Sequence, residues 1–94
     1  MANSIPPLEK LKGRENFDSW KFAVQNFMEH EELWPSVLGV ETDSKKNIKA
    51  KSKLILLIDP VIYVHVKTAT SAKQVWDNLI LAFEDSGLMR KVGL

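Results

Sequence analysis

The 94-residue chain contains no cysteine and almost no excess of charge. Without cysteine it can form neither disulfides nor a cysteine-based zinc site, and thiol chemistry is excluded. Thirteen Lys and Arg residues against twelve Asp and Glu residues give a net charge of +1, so the overall charge indicates no class of partner. The lack of cysteine fits a reducing compartment, and we expect a cytoplasmic protein.

Long hydrophobic runs and glycine-rich motifs are also missing. No apolar run is longer than that at residues 54–58, which is too short to span a bilayer, and residues 1–7 lack the basic and apolar regions of a signal peptide. The four glycines are scattered, so they form no phosphate-binding loop in sequence. We therefore expect no membrane partner, no small-molecule substrate and no cofactor.

What is present is an ordinary globular composition, with 45% hydrophobic and 27% charged residues. The clearest segment is Asn16 to Glu32, in which large apolar residues recur at helical spacing and fall on one face. Asn16 is a typical N-cap residue for this helix. The segment therefore predicts an amphipathic helix against which the rest of the chain packs.

The rest of the chain predicts further short helices. A tight corner at residues 33–39 precedes a helix from Asp43 or Ser44 to Ile58. Asp59 and the proline after it predict a short helix, although the β-branched residues 61–66 would also suit a strand. Ser71 to Gln74 form a capping box for a last helix that stops at residues 85–87. We predict an all-α, compact bundle of four to five short helices.

The predicted domain boundaries follow from these helices. Residues 1–12 are expected to form an extended lead-in, residues 13–86 the helical domain, and residues 87–94 the beginning of a further helix, which indicates a longer natural protein. On the helix that starts at Asp43 or Ser44, one side is expected to carry the apolar residues Ile48, Ala50, Leu54, Ile55 and Ile58. The predicted structural core contains Phe17, Trp20, Val24, Phe27, Trp34, Ile55, Val75, Trp76, Leu79 and Phe83.

Residues with catalytic or metal-binding chemistry do not converge. Glu29, His30, Glu31 and Glu32 are consecutive, and consecutive helical side chains point in different directions. The HExxH pattern is absent, and no serine or threonine has a base partner by pattern. We therefore predict neither an enzyme nor a metal site, and interpret this cluster as a solvated helix end.

Two surface features remain as candidates for an interface. The acidic segment at residues 29–43 is followed by a run of lysines that contains no acidic residue. Most of these lysines share one side of a helix. They fit a solvated face, pairing between copies of the domain, or contact with nucleic-acid phosphates. Phe22 and Leu81 are apolar residues on polar helix faces. They fit incidental exposed residues, residues covered by the N-terminal segment or the C-terminal tail, or contacts with a partner. The lysine candidates are Lys45, Lys46, Lys49 and Lys53.

A wider pattern covers residues 8 to 84. It comprises Leu11-Lys12-Gly13, Glu15-Asn16-Phe17, Trp20-Lys21, Leu33-Trp34, Val37 and Gly39, then Thr70 to Leu79 and Phe83-Glu84. This pattern resembles the N-terminal Gag region of copia-type LTR retrotransposons, whose motifs run approximately L-x-G-x-N-[FY]-x-x-W, L-W-x-x-V-x-G and T-A-K-x-x-W-D-x-L. Ser71 is a departure, since it separates the threonine from Ala72-Lys73.

The resemblance implies a capsid-like amino-terminal lobe that self-associates into virus-like particles around the element's RNA. The partners it implies are further copies of the chain, and RNA for the full-length protein. The zinc knuckle that usually binds RNA in Gag proteins is absent from this cysteine-free chain. Two alternatives stay open: a host gene derived from Gag that serves as a protein–protein interaction module, and direct RNA binding through the lysines.

Overall fold

The computed structural model describes residues 8–84, which form a small helical bundle without a β-strand. The helices are α1 (Phe17–His30), α2 (Trp34–Leu38), α3 (Ser44–Leu56) and α4 (Ala72–Phe83), with short 3-10 helices at Arg14–Asn16 and Pro60–His65. The predicted all-α bundle is therefore confirmed. The predicted final helix at residues 87–94 lies outside the described residues.

Three of the helix starts follow the predicted capping chemistry. Asp43 accepts a hydrogen bond from the amide of Lys45 (2.9 Å), and Asp59 accepts one from Val61 (3.0 Å). The hydroxyl of Ser71 accepts one from the third residue that follows it. These bonds satisfy amides that have no partner within the helix. The β-branched segment after Asp59 thus forms a 3-10 helix, as the Asp-Pro start predicts.

Asn16 does not cap α1 with its side chain, which corrects the sequence prediction. Its side-chain oxygen instead accepts from the amides of Lys12 (2.9 Å) and Gly13 (3.3 Å), and its amide donates to the carbonyl of Lys10 (3.0 Å). The side chain turns back because the preceding loop offers both donors and an acceptor within reach. Asn16 therefore fastens the N-terminal segment to the start of α1.

Both long helices end earlier than predicted. α1 ends at His30 rather than Glu32, because Glu32 adopts a left-handed conformation with φ 64° and the amide of Leu33 bonds to the carbonyl of Met28. This arrangement is a typical helix C-terminus. α3 ends at Leu56 rather than Ile58, since Ile58 pairs with the N-terminal segment instead.

That pairing involves Leu11, a fully buried residue. Its amide donates to the carbonyl of Leu57 (2.9 Å), and its carbonyl accepts from the amide of Asp59 (2.9 Å). These bonds make a single parallel bridge between Leu11 and Ile58. The expected lead-in of residues 1–12 therefore ends in a segment that belongs to the domain.

The core lies where α1, α3 and α4 meet, and it is rich in aromatic contacts. The rings of Trp20 and Trp76 stack at 5.8 Å between centroids, Trp34 meets Trp76 edge-on at 5.3 Å, and Phe17 lies 6.1 Å from Phe83. Such pairs stabilise beyond the area that they bury. Of the ten predicted core residues, Phe17, Trp20, Val24, Val75, Trp76 and Leu79 are buried, and Phe27, Trp34, Ile55 and Phe83 are half-buried against them.

Ile48 does not share the buried side of α3 with the apolar residues grouped with it in the sequence, since it is 66% exposed. It lies about 160° around the helix from the fully buried Ala50. The buried stripe of α3 is narrower and consists of Ala50 and Leu54.

Candidate interaction surfaces

Phe22 and Leu81, the two apolar residues predicted at polar positions, are both strongly exposed. Phe22 is 74% exposed on α1 and Leu81 is 85% exposed on α4. Phe22 lies about 200° around α1 from Trp20, and Leu81 about 140° around α4 from Trp76. Because the two tryptophans stack on each other, these apolar side chains lie on outward sides of the two helices and face away from their contact.

The four candidate lysines divide into two groups. Lys45, Lys46 and Lys49 are exposed and have no carboxylate within 4 Å among residues 8–84. Lys53 is half-buried, and its ammonium lies 3.5 Å from Glu31 and 5.3 Å from the ring centre of Phe27. Lys53 thus joins α3 to the end of α1, and we remove it from the candidate surface.

An apolar stripe that the sequence reasoning missed runs along the outward side of α3. Ile48 and Leu56 are 66% and 67% exposed, and the exposed Ser52 lies midway between them. Their four-residue spacing places all three on one side of the helix. Lys45 and Lys49 border this stripe, so the outward side of α3 is both apolar and basic.

The outward side of α1 has the opposite charge. Phe22 is flanked by Asp18, four residues before it, and by Glu29, seven residues after it, and both acids are exposed. Glu29 accepts a hydrogen bond from Gln25 (3.1 Å). Lys21 lies to the side of this stripe and pairs with Glu84 at 2.7 Å.

An open groove of about 590 Å³ lies between α2, α3 and the start of α4. Ser36 lines it, and its buried hydroxyl has no hydrogen-bond partner within the described residues. The groove is bordered by Glu41, Lys51 and Lys73, of which Lys73 pairs with Asp77 at 2.6 Å.

The Glu29–Glu32 cluster does not assemble into a ligand set. Glu29, His30 and Glu32 are exposed, whereas Glu31 is directed to Lys53. Within residues 8–84 no three His, Cys, Asp or Glu side chains lie close enough together to hold a metal ion.

No helix in the described part of the chain has the length and apolarity needed to cross a membrane. Comparison of the chain with models of known protein families, with curated proteins and with solved structures found no match. The candidate surfaces therefore have to be interpreted from their own chemistry.

Proposed function

We propose that this chain is a capsid-like structural domain that assembles with copies of itself, as the resemblance to copia-type Gag implies. The proposal includes a cytoplasmic location in virus-like particles, and RNA as a partner of the full-length protein. It is supported by the positions of the motif residues. Trp20, Trp76 and Leu79 are buried, and Gly39 has the left-handed φ of 85° that favours glycine. The motif residues therefore hold the fold, as a shared structural domain requires.

The observation that carries self-association is the exposure of Phe22 and Leu81 on outward sides of α1 and α4. Large apolar side chains in contact with water are stabilised when a neighbouring subunit covers them. Because they lie on different sides of the domain, one partner in a simple two-fold dimer would not cover both. An assembly subunit with several neighbours fits this distribution.

Sedimentation velocity over a wide concentration range at low and moderate salt tests this proposal. We expect concentration-dependent dimers or larger species, and we expect Phe22→Ser or Leu81→Ser to weaken them. Val64→Ser is the matched control, because Val64 is 69% exposed but lies on the 3-10 helix. A chain that stays monomeric under all these conditions would overturn self-association and favour the host-derived module that binds a different protein.

A second candidate function is RNA binding through Lys45, Lys46 and Lys49. The observation in its favour is that these exposed lysines share α3, which contains no acidic residue. Contacts to phosphates release counterions, so affinity for single-stranded RNA would fall steeply with salt. Fluorescence anisotropy with a labelled oligonucleotide is the test. Binding at low salt that is lost when the three lysines are changed to glutamine supports this function, and absence of binding at low salt removes it.

A further inference from the structure

The outward sides of α1 and α3 match each other in shape and charge. On α1 the ring of Phe22 projects between Asp18 and Glu29. On α3 the small Ser52 lies between the exposed apolar side chains Ile48 and Leu56, so the stripe has a notch at its centre. A single large apolar side chain on one helix fits such a notch on another.

The charges at these positions are unfavourable for the helices that carry them. Lys45 lies in the first turn of α3, where the helix dipole favours an acid, and Glu29 lies in the last turn of α1, where it favours a base. Neither charge is compensated by an ion pair among residues 8–84. Glu29 and Lys45 would instead attract each other if a contact between two copies placed them opposite each other.

We infer that α1 of one copy packs antiparallel against α3 of a second copy, with Phe22 over Ser52. Glu29 follows Phe22 by seven residues and Lys45 precedes Ser52 by seven, so each charge lies about 10 Å along its helix from the apolar contact. In the antiparallel orientation these two offsets coincide and Glu29 meets Lys45. The inference rests on the proposed self-association and names the two surfaces that produce it.

The parallel orientation would keep Glu29 and Lys45 apart. With Phe22 over Ser52, it would place the two charges on opposite sides of the apolar contact, each about 10 Å from it. The pairing of Glu29 with Lys45 therefore requires the antiparallel orientation.

This contact joins two different surfaces, so a pair of copies keeps one free α3 surface on the first copy and one free α1 surface on the second. Such heterologous contacts produce rings or open chains rather than a closed two-fold dimer. The buried surface of a single helix pair is small, and we expect individual contacts to be weak and concentration-dependent.

Charge reversal tests the inference. Glu29→Lys and Lys45→Glu are each expected to weaken self-association about tenfold in sedimentation equilibrium at low salt, because the changed residue meets a like charge. An equimolar mixture of the two variants, and the double variant, are expected to recover association, since the pair then has opposite charges again. Each reversal also agrees with its own helix dipole, so neither variant should unfold.

Lys67→Glu is the charge control, because Lys67 is exposed but lies outside both α1 and α3. It should leave association near the wild-type value. If the wild-type chain associates but the mixture does not recover, this helix pairing is wrong while self-association stands. If the wild-type chain is monomeric, the proposed function and this inference both fail.

Discussion

The indole nitrogen of Trp20 donates a hydrogen bond to the carbonyl oxygen of Leu57 over 2.9 Å. The same oxygen accepts the amide of Leu11, also at 2.9 Å. One carbonyl just after α3 therefore fastens both α1 and the N-terminal segment. This is the point at which three parts of the chain that are distant in sequence are held together.

Replacing Trp20 with phenylalanine removes one of these bonds and part of a buried ring. We expect the free energy of unfolding to fall by about 1–3 kcal/mol, because a hydrogen bond and packing are lost together. Urea denaturation measures the change. Trp34→Phe is the control, since Trp34 is half-buried, and it should cost less; equal losses would show that the Leu57 contact is not important.

Leu11→Ala tests whether the N-terminal segment is part of the domain. Leu11 is fully buried, and truncation of a buried leucine typically costs about 2–5 kcal/mol. That loss is a large fraction of the stability of a small domain and should be evident in thermal unfolding. Leu8→Ala, at a half-buried position, should cost less; a neutral Leu11→Ala would mean that residues 8–12 are a passive lead-in.

Gly39→Ala tests the left-handed end of α2. We expect a loss of about 1 kcal/mol, because a side chain at φ 85° is strained and its Cβ would come within 2.5 Å of Lys73 Cδ. Gly39→Asn should cost less, since asparagine tolerates this conformation better. If urea denaturation gives equal losses for both variants, the contact with Lys73 rather than the backbone explains the glycine.

Phe22→Ser and Leu81→Ser should leave the fold intact. Both side chains are largely in water, and surface substitutions usually change the stability by less than about 0.5 kcal/mol. Thermal unfolding at a concentration where the chain is monomeric measures this. A marked loss for either variant would indicate that the residue packs against the chain itself.

The fold was accessible from the sequence where it depends on local patterns. The stripes of α1 and α4 and the N-cap bonds at Asp43, Asp59 and Ser71 involve residues within a few positions of each other, and they appear as predicted. The capping box at Ser71 is only half formed, because the side chain of Gln74 accepts from the amide of Thr70 instead of that of Ser71. The predicted cap at Asn16 is wrong because its side chain can bond either to the first amides of α1 or to the backbone of the preceding loop, and the loop is preferred. Both options are local, so spacing alone did not separate them.

The candidate surfaces were only partly accessible, because exposure is a property of the assembled bundle. Phe22 and Leu81 stood out as apolar residues on polar faces. Ile48 is grouped with Ala50 and Leu54 in the sequence because periodicity does not show how wide a face of α3 the neighbouring helices cover. Lys53 is predicted as a free lysine because its partner, Glu31, lies at the end of a different helix. Sequence spacing does not show contacts between helices. The bridge between Leu11 and Ile58 was missed for the same reason.

The dependence of Leu11 on the carbonyl of Leu57 also sets an order of events during synthesis. The first residues of the domain leave the ribosome long before their partner exists, and they cannot take their place until α3 has been translated. The N-terminal segment is therefore made first but docks only when residue 57 is available, since long-range contacts form only after the intervening chain exists. Until Leu57 has been translated, neither the amide of Leu11 nor the indole of Trp20 has its acceptor, so the link between α1 and the N-terminal segment cannot form.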